Sequence, residues 1–141
     1  MNKMLLDTNI ILDMALGRQP FFEKAQKLVL QASELEVPLF VTATTITDIY
    51  YIIRKAKGRD EALGFVIQLL DFVQVASVDR KVLEMALALQ DLRDFEDAIQ
   101  ASTAILHDID VLVTRNSDDF SGAPLPILSP EEAISFLQES S

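Results

Sequence analysis

The chain has 141 residues, 50% hydrophobic and 24% charged, enough apolar side chain for one packed domain spanning 1–141. It contains no cysteine, which excludes disulfides, thiolate metal sites and cysteine nucleophiles. Its net charge of -10 argues against gripping nucleic acid by bulk charge. An acid excess focused in one place has a different meaning, because such a site takes a cation and the cation takes phosphate.

Lys3-Met4-Leu5-Leu6 reads as a short buried parallel strand ending at Asp7. Asn9 to Leu16 follows at helical spacing and Gly17 stops it. Pro20 suits the start of the next helix, whose apolar face Phe21, Ala25, Leu28, Val29 and Ala32 runs to about Glu36. Pro38-Leu39-Phe40-Val41 is a second strand. Thr44 or Thr45 then caps a helix from Ile46 to Ala56, and Gly58 ends it after a basic last turn. Asp60 caps a helix through Leu70, Val73 to Ala76 forms a third strand, and Asp79 caps a helix through about Leu89. Phe95 to His107 is helical, Val111-Leu112-Val113 is the fourth strand, and Ile127-Leu128 is a short fifth. Ser129-Pro130-Glu131-Glu132 starts a last helix that ends near Gln138. Strands alternating with helices imply an α/β domain: a mostly parallel sheet of four to five strands between helical layers. The N-terminus lacks the pattern of a signal peptide, and no segment approaches the ~20 apolar residues of a membrane span, so a cytoplasmic protein without a membrane partner is expected.

Open parallel sheets bind ligands beyond the carboxyl ends of their strands. Two acidic segments fall there: Asp7-Thr8-Asn9 after the first strand, and Thr114-Arg115-Asn116-Ser117-Asp118-Asp119-Phe120 after the fourth. Asp48 and Asp97, on helices, reach the same edge, and Asp94 lies three residues before Asp97 on nearly the same face. Carboxylates converging within a few ångströms relieve their repulsion by taking a proton or a divalent cation. Oxygen ligands without cysteine or clustered histidine favour Mg2+ or Mn2+. Such ions bridge phosphate oxygens and acidify water, so the implied reaction is phosphodiester hydrolysis.

These motifs, in this order and at these secondary-structure positions, resemble the PIN domain over nearly the whole chain. The nearest form is the bacterial stand-alone one found in VapC-type toxins. The resemblance implies a PIN-like α/β/α sandwich and an Mg2+- or Mn2+-dependent endoribonuclease acting on RNA. It also implies a small antitoxin protein as partner and a homodimer. Asp7, Asp48, Asp97 and Asp119 then correspond to the catalytic acids. Asp7, Asp97 and Asp119, or its neighbour Asp118, are the metal ligands. Thr8, Asn9, Thr114, Asn116 and Asp94 are supporting residues. The second acid is usually glutamate in the family, and Asp48 is one methylene shorter. The alternative is a PIN-like domain that binds RNA or protein without cleaving.

Beside the site, Arg115 is a candidate phosphate contact. Asp94 also reads as a helix cap, and the basic run Arg54, Lys55, Lys57 and Arg59 as an ordinary helix end. Tyr50, Tyr51 and Ile52, with Phe21 and Phe22, read either as core or as an interface. Other aspartate-rich α/β folds fit less well. A haloacid-dehalogenase-like phosphatase needs an acid where Asn9 stands, and a response-regulator receiver needs a late lysine, whereas none follows Lys81.

Overall fold

A computed structural model describes residues 2–89, 91–92 and 94–140. Its centre is a five-stranded sheet of β1 (Met4–Leu6), β2 (Leu39–Thr42), β3 (Gln74–Ala76), β4 (Val111–Val113) and β5 (Ile127–Leu128). The strand order is β3-β2-β1-β4-β5 and every pairing is parallel. The helices are α1 (Thr8–Ala15), α2 (Phe22–Glu34), α3 (Ala43–Lys57), α4 (Arg59–Leu69), α5 (Arg80–Ala88), α6 (Phe95–Leu106) and α7 (Pro130–Ser140). A 3-10 turn at Ser117–Phe120 was not foreseen by the sequence pattern.

Strand side chains alternate between faces, and the two central strands are apolar on both. Met4 and Leu6 join a core with Val111 and Val113, built also from α1, α2, α3, α4 and α7. Leu5 and Leu112 point the other way, onto Ala104 of α6 and Phe120. Val82 and Ala86 of α5 pack against Ile99 of α6 beyond them. Helices therefore cover both faces, which gives the expected three layers.

Several expected boundaries shift for local reasons. α3 starts at Ala43 because Thr42, not Thr44 or Thr45, is its cap, its hydroxyl accepting the Thr45 N–H at 3.1 Å. α4 starts at Arg59 behind Gly58, whose φ of 94° is costly for a side chain, so Asp60 falls in the first turn rather than at the cap. Pro20 lies in the turn ahead of α2, which begins at Phe22. α7 continues to Ser140. The Asp79 cap of α5 forms as expected, and so does a reciprocal Ser129–Glu132 box at α7. Among the described residues no helix is long and apolar enough to cross a membrane.

Candidate active site

The chain leaves β1 toward β2 and β3, then returns to place β4 and β5 on the other side. The strand order thus reverses between β1 and β4, and a crevice opens at their carboxyl ends. Asp7 and Thr114 are the residues that follow these two strands. Their backbones continue the ladder, with the Asp7 N–H donating to Val113 O at 2.9 Å.

Asp7 is only 6% exposed. Its Oδ1 accepts the Thr8 N–H at 2.8 Å, and its Oδ2 accepts the Thr114 hydroxyl at 2.8 Å. The same Thr114 oxygen accepts the Asn116 N–H at 3.0 Å, which ties the loop after β4 to the carboxylate. Thr114 is fully buried beneath Asp7 and shapes the site from below.

Asp7, Thr8 and Asn9 form the floor of a cleft of about 710 Å3. Asp48 and Tyr51 of α3 make one wall, and the start of α6 makes the other with Asp94, Glu96 and Asp97. Asn116 and Asp119 complete it from the loop after β4. Of the acids and supporting residues expected at the site, the cleft gathers Asp7, Asp48, Asp97, Asp119, Thr8, Asn9, Asn116 and Asp94. Asp94 also accepts the Glu96 N–H as the cap of α6.

Six acids line this cleft and, among the described residues, no lysine or arginine does. The crowding shows in their protonation. Burial pushes the Asp7 carboxyl up, against its hydrogen bonds from Thr114 and Thr8, and the Asp119 charge adds to the rise. Burial raises Asp48 as well. Glu96 is raised chiefly by the charge of Asp48. Asp97 rises furthest, to about 7, through burial and then the charges of Asp7, Asp94, Asp119 and Glu96. Excess negative charge of this kind is relieved by protons or by a hard cation.

Among the described residues no group of three or more histidine, aspartate or glutamate side chains stands ready to hold a metal ion. Asp118 lines an adjoining hollow that it shares with Asp94, Asp97 and Asp119, and of the two neighbours only Asp119 also lines the main cleft. Arg115 does not line the cleft. Its guanidinium donates to both oxygens of buried Asp13 at 2.8 and 3.2 Å and lies 4.1 Å over the Phe21 ring. The Nε and Nη2 donors of Arg115 are thus engaged by Asp13.

Glu96 and Gln100 also line the cleft, outside the expected set. Glu96 stands in the quoted motif, but helical spacing pairs Asp94 with Asp97 and leaves it off their face. Gln100 follows Asp97 by three and is 5% exposed. Its Nε2 donates to the Thr8 and Thr45 hydroxyls, while its Oε1 has no partner.

A doubly wound α/β domain with its carboxylates gathered at the switch point is the class that fold and cleft define. A PIN-domain family profile matches residues 3–118, and the chain belongs to the PIN-domain family. Solved structures share the fold. A toxin-antitoxin complex from Klebsiella pneumoniae is 28% identical, with a TM-score of 0.69 over 90% of this chain and 97% of that one. DNA-bound VapBC from Salmonella typhimurium is 18% identical, with a TM-score of 0.71 over 92% and 99%. VapC20 from Mycobacterium tuberculosis, a toxin that cleaves the sarcin-ricin loop, is 18% identical, with a TM-score of 0.67 over 86% and 95%. No curated protein sequence matches the chain.

Proposed function

We propose that the chain is a divalent-metal-dependent endoribonuclease of the VapC type, acting as the toxin of a toxin–antitoxin pair. The observation that carries this reading is the cleft at the β1/β4 switch point, with Asp7 held on its floor and Asp97 raised to about 7 across from it. The donor set fits Mg2+ or Mn2+: it offers oxygen only, and Mg2+ takes one or two carboxylates while keeping several waters, so separated acids suffice. Asp7, Asp97 and Asp119 are the candidate ligands, with Asp48 the most distant in chemistry from the family's usual glutamate.

When bound, the ion offsets charge on the scissile phosphate and activates water. The chain's own part is positional. The Thr8 N–H and the Thr114 hydroxyl fix both oxygens of Asp7 and keep it from swinging. Asp97, half-buried among acids, holds a proton near neutrality and releases it when a cation arrives, so metal binding is coupled to proton release. Toxin–antitoxin and VapBC complexes among the solved structures support a small antitoxin as this chain's partner. Copurification with the product of the adjacent reading frame tests that partner, and sedimentation tests the proposed homodimer.

Asp48, one methylene shorter than the glutamate usual in the family, motivates one competing reading, a PIN-like domain that binds RNA or protein without cleaving. Calorimetry with Mn2+ separates the two. Binding at or below millimolar concentration, with protons released, supports the nuclease, and no binding supports the alternative.

A further inference from the structure

We propose that Tyr51 and Phe95 are stacking surfaces for unpaired nucleobases, so that the cleft selects single-stranded over duplex RNA. The proposal rests on the nuclease reading above and adds to it what holds the bases. The cleft presents six acids and, among its described lining residues, no basic side chain. The nearby Arg115 fork is spent on Asp13. The cleft lining therefore offers no positive charge with which to grip a phosphate backbone, and binding RNA there needs a part that is not electrostatic.

The apolar lining supplies it. Tyr51 projects from α3 on one wall and is 63% exposed. Phe95 opens α6 on the facing wall and is 45% exposed. Ile52, 39% exposed, adjoins Tyr51 in the lining. Scattered surface apolar residues are ordinary, but these share one concavity with the acids. The Tyr51 ring is braced edge-on by Tyr50, centroids 5.4 Å apart at 71°, and Tyr50 itself packs on the core. A braced ring gives up little freedom on contact with a base. Aromatic faces bind every base type, because each has a π-face, and they need that base unstacked. The cleft volume lies within the range of pockets that enclose small ligands, which suits a short stretch of strand rather than a helix.

The test uses a single-stranded RNA decamer carrying 2-aminopurine, whose fluorescence falls on stacking, titrated in Ca2+ and in EDTA. Wild type should quench it and bind more tightly than it binds the same decamer in duplex. Tyr51→Ala and Phe95→Ala should each weaken binding roughly 5- to 150-fold with loss of the quench. Tyr51→Phe and Phe95→Tyr should retain both. Both sites of change are exposed, and circular dichroism checks the fold. An abasic decamer should bind weakly and be indifferent to the substitutions. Alanine variants that bind and quench like wild type, or equal affinity for duplex, overturn the proposal while leaving cleavage by the wild type to stand. Alanine variants that change only the sedimentation of the protein make the patch a protein interface and overturn it too. Wild type that binds no decamer in either condition overturns both this proposal and the ribonuclease reading. Normal stacking without any cleavage supports the proposal and removes only the nuclease.

Discussion

Asp97→Asn exchanges an acid crowded by four others for a neutral isostere. Desolvation and the charges of Asp7, Asp94, Asp119 and Glu96 carry the Asp97 carboxyl from 3.8 to about 7. At 1.36 kcal/mol per pH unit the ceiling on the cost of ionising it in the folded protein is about 4 kcal/mol. The group is only partly buried, so salt and water screen it, and about 1–2 kcal/mol is the expected net. The sign follows from proton uptake. Below pH 4 the carboxyl is neutral in both folded and unfolded chains and costs nothing. Between pH 4 and about 7 the unfolded chain has released the proton and the folded one holds it, so stability falls as pH rises. Above about 7 the full cost is present. Asp97→Asn should therefore melt with wild type near pH 4 and roughly 3–8 °C above it at pH 8 in EDTA. Cleavage should fall about 100-fold or more in the same variant. Thermal melts by circular dichroism across pH 4–8 decide it. A variant that melts at or below wild type at pH 8 refutes the claim that these acids are in mutual strain.

Thr114→Val removes the hydroxyl that donates to Asp7 Oδ2 and leaves a buried carboxylate oxygen unpaired. It should cost about 1–3 kcal/mol by denaturant titration and weaken Mn2+ binding by calorimetry. Asp119→Ala should abolish cleavage, while replacing Asp118, which lines only the adjoining hollow, by Ala should leave it within about threefold; equal losses would contradict the assignment. Arg115→Met leaves Asp13, which is 1% exposed, with only the longer 3.7 Å contact to Arg18, and should cost about 3 kcal/mol. Adding Asp13→Leu should recover much of that loss, and a double variant no more stable than the single one would count against the pair as the cause.

The layers were legible because the short apolar runs at Met4 and Val111 have no helical spacing, while the segments between them do. The switch-point acids were legible for the same reason: Asp7 and Thr114 each follow an apolar strand. What the sequence hid lies in side-chain direction. Of two adjacent acids on the turn after β4, Asp119 lines the main cleft and Asp118 only the hollow beside it. Arg115 looks like a free cation until Asp13, two helical turns past Asp7, is found buried without another close partner than arginine. Gln100 and Glu96 became visible only when the start of α6 was seen to form a wall, since a helix start rich in acid is also what the dipole alone prefers. The Thr42 cap was hidden because four hydroxyls among residues 42–47 compete for the same role, and the backbone geometry chooses.

The central claim is that Asp7 and its cleft cleave RNA with the help of a divalent ion. Purified protein incubated with single-stranded RNA in Mn2+, in EDTA, and as Asp7→Asn in Mn2+ tests it most directly. The account predicts cleavage in the first case and none in the other two. Cleavage that persists through both EDTA and Asp7→Asn would contradict it.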